Sequence, residues 1–270
     1  MKKDYQVGII GGGFVGSATA WGFRPTNEVK IYDIDPKSAT HSLEEVASCD
    51  FIFICVPTPP KEDWSVDLSI VEEAISKIKP TYNSKQNIII KSTVLPWTCR
   101  TLSKKFDISI SSNPEFLTER RAKWDFVNAA QVLIGSDDPM RAEKIQSLYQ
   151  QRFNSMKYTI TNTVTAEMIK YTLNSFFSTK VSFLNEIKQI SKEVGADWNK
   201  LIEGFTSDAR IGDSHIDVPG PDGKFGFGGK CFPKDLNGLK AFAKKLDIDT
   251  TMLDATWKKN TLVRDSSSNK

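Results

Sequence analysis

Residues 7–33 constrain the fold more tightly than any other stretch of the chain. Val7-Gly8-Ile9-Ile10 is a short apolar run that reads as a buried first strand. Gly11-Gly12-Gly13-Phe14-Val15-Gly16 follows at once and contains G-x-G-x-x-G, after which Ala18, Ala20 and Trp21 fit the start of a helix. A second apolar run, Val29–Tyr32, ends in Asp33. Strand, glycine turn, helix, strand and acid, in that order, is the context in which this motif binds a dinucleotide. Gly11 makes the tight turn, Gly13 lets a pyrophosphate approach, and Gly16 lets helix pack on strand. The helix N-terminus, with Phe14 and Val15 in its first turn, faces the phosphates with its dipole. Asp33 would bond the adenosine ribose hydroxyls and repel a 2′-phosphate, so NAD is expected rather than NADP.

The pattern continues as an alternation of strands and helices. Candidate strands are 6–10, 28–32, 51–56, 87–91, 107–111 and 131–135. Candidate helices lie near 14–22, 68–79, 97–105, 116–123 and 139–150. Such alternation implies α/β architecture with a doubly wound, Rossmann-type parallel sheet, here assigned to a domain over 1–160. Ligand loops in such a sheet sit at the carboxyl ends of its strands. Val56, Pro57 and Thr58, and then Lys91, Ser92 and Thr93, fall there, as cofactor contacts should.

Past residue 160 the strand signal fades, and 161–270 is expected to form an all-α central domain. Residues 163–194 read as one long helix stopped by Gly195, with a broad apolar face that includes Leu173, Phe176, Leu184 and Ile187. Lys170 and Asn174 are four apart and share one face. Shorter helices are expected at 198–205, 234–246 and 250–263. The connection Ser207–Gly229, with six glycines, is long for a compact domain, and long loops of that kind are commonly functional.

That loop runs into Gly226–Asp235, read as Gly-Phe-Gly-Gly-Lys-Cys-Phe-Pro-Lys-Asp. Glycines let a backbone fold closely around a ligand. A cation such as Lys234 favours thiolate, the form of cysteine that attacks carbon. Asp235 can handle protons for that attack. The segment therefore suggests covalent chemistry at Cys231. The other cysteines, at 49, 55 and 99, show no C-x-x-C spacing, so neither a zinc site nor a structural disulfide is expected. With only His41 and His215 present, proton transfer falls to Lys, Asp, Glu or water. A net charge of +3 over 270 residues makes no case for nucleic acid or membrane as partner. A reduced, cytoplasmic setting fits the cysteine usage.

Several further motifs, in order, give the chain a resemblance. They are Val56-Pro57-Thr58-Pro59 with Asp67-Leu68-Ser69, Lys91-Ser92-Thr93-Val94, and Asn113-Pro114-Glu115-Phe116-Leu117-Thr118-Glu119. Lys170-x-x-x-Asn174, Asn185-Glu186, Arg210-Ile211-Gly212 and the cysteine segment follow. With the glycine fingerprint, this set resembles the UDP-glucose/GDP-mannose 6-dehydrogenase family. The resemblance implies a four-electron oxidation of a nucleotide sugar, UDP-glucose first, in which a C6 alcohol becomes a carboxylate and two NAD are reduced. GDP-mannose and UDP-N-acetylhexosamines are close alternatives. A two-electron hydroxyacid-type dehydrogenase and a non-catalytic NAD-binding subunit that needs a partner domain also stay open.

Roles follow from the resemblance. Cys231 is the nucleophile that forms a thiohemiacetal and then a thioester. Lys170 and Asn174 stabilise the oxyanion at C6. Asp235, with a water, is the acid/base group, and Thr93 positions a water. Glu115 or Glu119 serves as base for thioester hydrolysis, with Glu119 also at the cofactor. Phe116, Leu117, Phe225, Gly226, Phe227, Gly228 and Lys234 line the sugar-nucleotide pocket. Arg210 corresponds to an arginine that crosses a homodimer interface to reach the sugar. No metal is implied. The family continues into a third, UDP-binding α/β domain of roughly 100–150 residues, and this chain stops where that domain is expected to begin. The stretch between Asp33 and Phe51 is also shorter than in typical members. It reads as a trimmed helical excursion beside the adenosine rim, where Lys37 would sit.

Overall fold

The computed structural model describes residues 5–267. The chain divides into two compact units, one holding the residues up to Pro59 and Val66–Lys170, the other Pro60–Ser65 and the residues from Tyr171 on.

Seven strands form the sheet of the first unit: β1 (Gln6–Ile10), β2 (Glu28–Tyr32), β3 (Phe51–Ile54), β4 (Asn87–Ile90), β5 (Ile110–Ser112), β6 (Gln131–Gly135) and β7 (Lys157–Thr161). Their order is β2-β1-β3-β4-β5-β6-β7. The first five strands run parallel. β6 meets β5 antiparallel through the pair Ser112–Gly135, and β7 then runs parallel to β6. The expected doubly wound sheet is therefore present, with a reversed two-strand extension at one margin. β7 is absent from the sequence reading, which ends its strands at Gly135. Its residues, Lys-Tyr-Thr-Ile-Thr, alternate at an edge where even Ile160 is 46% exposed, so no buried apolar run marks it.

The central strands are legible for the opposite reason. Phe51-Ile-Phe-Ile of β3 and the isoleucines of β4 are buried on both faces, as strands covered by helices on both sides must be. On one face Phe23 of α1 (Phe14–Phe23) packs with Phe53, Phe126 of α5 (Ala122–Val127) and Tyr149 of α6 (Pro139–Gln150). On the other face lie α2 (Leu43–Ala47), α3 (Ser69–Ile78) and α4 (Thr98–Phe106), which bury Val46, Ile75 and Leu102 against Ile52, Ile88 and Ile90. The helix expected at 116–123 begins later. Pro114 and the Glu115 carboxylate, which accepts from Leu117 N–H, hold the preceding residues as a loop, and Glu119–Arg121 form a single 3₁₀ turn before α5.

β2 lies at the edge of the sheet. Its Ile31 carbonyl accepts from Thr40 and His41 N–H, and its Ile31 N–H donates to Thr40 Oγ1. The short excursion after Asp33 thus straps the free edge, and α2 follows behind a capping box on Ser42. Connections leave β1 for β2 on one side and return to β3 on the other, which makes the carboxyl ends of β1 and β3 the point where such sheets bind ligands.

The second unit is built of helices: α7 (Thr163–Glu193) from Tyr171 on, α8 (Trp198–Thr206), α9 (Phe232–Lys245) and α10 (Thr251–Ser267). Small polar residues let α7 and α10 approach, with Thr179 and Thr256 hydroxyls 3.0 Å apart and Ser182 Oγ donating to the Thr256 carbonyl at 3.0 Å. Trp64, carried by Pro60–Ser65, lies edge-on to Trp257 at 5.7 Å. Gly195 ends α7 with φ +71°, a conformation glycine adopts without strain. Among the described residues no helix is long and apolar enough to cross a membrane.

Candidate active site

The glycine turn is shaped by what surrounds it. At Gly11 φ is +100°, and a Cβ there would lie 2.7 Å from the Cys55 carbonyl oxygen. At Gly16 a Cβ would overlap the Gly11 carbonyl, so only glycine lets α1 start this close to β1. Gly13 differs: it is exposed, and nothing lies within 4 Å of where its Cβ would be. It is the N-cap of α1, and no side chain caps that helix. Phe14 and Val15, in its first turn, are half-buried. Asp33 stands at the end of β2 and accepts from Gly12 N–H at 2.5 Å and Asp35 N–H at 2.8 Å. An open glycine, an uncapped helix N-terminus and an acid at the second strand fit a dinucleotide, with phosphates at Gly13 and ribose at Asp33. Lys37 is exposed beyond, its N–H bonded to Asp35.

Two loops at the carboxyl ends of β3 and β4 are tied together. Ser92 Oγ donates to the Val56 carbonyl at 2.6 Å, and Thr58 Oγ1 donates to the Thr93 carbonyl at 2.9 Å. Pro57 between them is exposed. The side chains of Thr58 and Ser92 thus hold the loop backbones, while the Thr93 hydroxyl has a half-buried position.

Glu115 and Glu119 are placed very differently. Glu115 is buried, and Lys170 Nζ reaches both its carbonyl oxygen, at 2.6 Å, and its Oε1, at 3.3 Å. The Lys170 ammonium also lies 5.3 Å from the centre of the Phe116 ring. Leu117 is half-buried, and Glu119 is exposed in the 3₁₀ turn. A carboxylate buried against a lysine is a charged pair held in a fixed geometry; an exposed glutamate has no such constraint.

In the second unit, Cys231 is exposed and is the N-cap of α9. A negative charge on its sulfur would sit at the positive end of the helix dipole. Burial pushes the thiols of Cys49 and Cys55 up to about 12, and that of Cys99 well above its ordinary value. One turn after Cys231, Asp235 is buried and accepts from Asn174 Nδ2 at 2.5 Å and from Lys234 Nζ at 2.6 Å. Lys234 is therefore committed to Asp235. Arg210 is exposed and forks onto Asp208, with Nη2–Oδ2 2.5 Å.

The glycine-rich segment before Cys231 is laced to α7 and α10. Asn185 Oδ1 accepts from Gly226 N–H, Asn260 Oδ1 accepts from Phe227 N–H, and Arg264 Nε donates to the Phe227 carbonyl. At Gly228 a Cβ would overlap the Arg264 guanidinium, while Phe225 keeps 38% of its surface exposed. Asn260 and Arg264 escape the sequence reading; their spacing of four, which puts both on one face of α10, is the signal available. Lys180, also absent from that reading, donates to the carbonyls of Ile211, Gly212 and Ser214 and so holds the segment after Arg210. Among the described residues no cluster of His, Cys, Asp and Glu is arranged to hold a metal ion.

A glycine cradle on a doubly wound sheet, continued by a helical unit, defines a dinucleotide-binding α/β protein. Residues 37–153 match the NAD binding domain of the UDP-glucose/GDP-mannose dehydrogenase family, and residues 164–261 match its central domain. The chain belongs to that family. It is 39% identical over 223 residues to the UDP-glucose 6-dehydrogenase of Rickettsia bellii, covering 80% of this chain and 50% of that protein. It is 32% identical over 240 residues to the GDP-mannose 6-dehydrogenase of Pseudomonas syringae, covering 83% and 53%. A UDP-glucose dehydrogenase structure from Pyrobaculum islandicum superposes with a TM-score of 0.87 at 29% identity, over 96% of this chain and 68% of that one. The chain spans about half the length of the curated relatives it matches.

Proposed function

We propose that this chain oxidises the C6 alcohol of a nucleotide sugar to the carboxylate in two NAD-dependent steps, with UDP-glucose as substrate. The observation that carries the reading is the buried Asn174–Asp235 bond one helical turn from an exposed Cys231. Bound NAD supplies a hydride acceptor in each step. Asp235, through a water, takes the proton of the C6 hydroxyl. The Cys231 sulfur then adds to the aldehyde carbon, and Lys170 and Asn174 bear the oxyanion that forms. Oxidation of that adduct leaves a thioester on Cys231. Glu115, rather than Glu119, takes a proton from the water that Thr93 positions; the water adds to the thioester carbon and the thiolate leaves. Burial of Glu115 against Lys170 supports that choice. Phe116, Leu117 and the 225–228 segment take the sugar nucleotide.

A homodimer through α7 belongs to the same reading, with Arg210 offered to the neighbouring copy. Leu173, Phe176, Phe183, Ile187, Ile190 and Val194 recur at heptad spacing. Phe176, Phe183, Ile190 and Val194 are each more than half exposed.

The test is a substrate panel: NADH formation by the purified chain with UDP-glucose, GDP-mannose, UDP-N-acetylglucosamine and simple hydroxyacids. Turnover with UDP-glucose well above the others is the expected result. Turnover with a hydroxyacid alone would overturn the reading.

A further inference from the structure

Lys91 is a buried lysine whose hydrogen-bond partners include no carboxylate. Only 4% of its surface is exposed. Its ammonium donates to Asn113 Oδ1 at 2.8 Å, to the Asn113 carbonyl at 3.4 Å and to the Tyr149 hydroxyl at 3.3 Å. The rings of Phe126 and Tyr149 lie 5.4 and 5.9 Å away. Burying a charge on such terms is costly, and an apolar residue of similar length would fill the space more cheaply. What the charge does is visible in its partners. Lys91 follows β4 and precedes Ser92 and Thr93 directly. Asn113 follows β5 and lies two residues before Glu115. Asn113 is held from every side: its N–H donates to the Ile90 carbonyl, its Nδ2 to the Leu133 carbonyl at 2.7 Å, and its Oδ1 accepts from the Tyr149 hydroxyl at 2.6 Å.

We infer that Lys91 is a positioning residue, whose ammonium locks Asn113 and so fixes the Pro114–Glu115 turn against the Ser92–Thr93 loop. The inference rests on the proposed roles of Glu115 and Thr93 for its catalytic consequence, and on geometry alone for its structural one. Burial brings the Lys91 pKa down to about 8, opposed by Cys55 and Glu115 and reinforced by Lys170. Cys55 after β3, Glu115 after β5, Tyr149 from α6 and Lys170 from α7 are the titratable groups around it. The lock therefore weakens as pH rises through about 8.

The experiment compares the parent chain with Lys91→Met. Hydrogen exchange across residues 113–118 is expected to quicken at least tenfold at pH 7, while thermal stability holds or rises because a buried charge is gone. With UDP-glucose, kcat should fall at least tenfold with KM little changed, and the loss of parent activity above pH 8 should disappear from the variant's profile. Tyr149→Phe, which removes one acceptor of the ammonium, should move that alkaline limb to lower pH; it decides the matter if Lys91→Met fails to fold. Unchanged exchange at 113–118 in Lys91→Met, or an alkaline limb that neither variant moves, would overturn the inference. Faster exchange in a chain that oxidises no nucleotide sugar would sink the proposed function and leave the positioning role standing.

Discussion

Asn174 Nδ2 donates to the carboxylate of Asp235 across 2.5 Å, with both side chains buried. Lys234 takes the other oxygen at 2.6 Å. The carboxylate is thus held in one orientation by two donors, and the helix that carries it starts at Cys231. A group fixed in this way costs no reorganisation when charge moves nearby.

Replacing Asp235 with Asn keeps the volume and removes the proposed base. Loss of a general base lowers rates by about 10²–10⁴-fold, and kcat for the first oxidation is expected to fall in that range. Alkylation of Cys231 by iodoacetamide should continue, since the thiol remains exposed. A variant that keeps full first-step activity would remove Asp235 from the chemistry.

Glycines 13 and 16 separate binding from folding. Gly13→Ala meets nothing in the protein, so its stability should stay within the range of a surface change, about ±0.5 kcal/mol. Its Cβ would occupy the path of a pyrophosphate, and NAD affinity should drop at least tenfold. Gly16→Ala overlaps the Gly11 carbonyl and should lower the melting temperature with or without NAD. Calorimetric titration with NAD and thermal melts of both variants check this. Equal NAD affinity in Gly13→Ala and the parent would contradict the assignment of the cradle.

Glu115→Gln and Glu119→Gln should part company. If Glu115 is the hydrolytic base proposed above, its neutral variant should show a burst of NADH followed by a stall, with substrate-derived mass on Cys231. Glu119→Gln should turn over steadily. Intact-protein mass spectrometry during turnover distinguishes the two, and acyl-enzyme in Glu119→Gln alone would reverse the roles.

Glu167 offers a pH test that is independent of substrate. Its carboxylate accepts from Cys99 N–H at 2.8 Å and is buried, which raises its pKa to about 7 despite the hydrogen bonds from Cys99 and Trp97. The folded protein then binds a proton that the unfolded chain has released. Stability is fullest below the ordinary glutamate range and declines as pH rises through about 7. Glu167→Gln keeps an acceptor for Cys99 and abolishes the charge. Its unfolding free energy should match the parent's near pH 4 and exceed it near pH 8 by on the order of 2 kcal/mol. Parallel melting curves for the two proteins across that range would contradict the assignment.

Much of this was legible in the sequence where burial or backbone constraint leaves a local mark. β3 and β4 show as apolar runs because both faces are covered, and Gly11, Gly13 and Gly16 show as a spacing. β7 does not show, because an edge strand half in water has no run to display. The buried partners Lys91–Asn113–Tyr149 and Cys99–Glu167 join residues 22 to 68 positions apart. Nothing local distinguishes such a lysine or glutamate from a solvated one. The same holds for Lys180, whose three carbonyl acceptors lie in a loop more than thirty residues on.

In the proposed mechanism one chain carries a sugar through alcohol, thiohemiacetal and thioester on Cys231. The most direct measurement is NADH formed per UDP-glucose consumed, with Cys231→Ser alongside. Two NADH per sugar in the parent, and failure of the variant to complete the second oxidation, are expected. One NADH per sugar, unaffected by the loss of the thiol, would contradict the account.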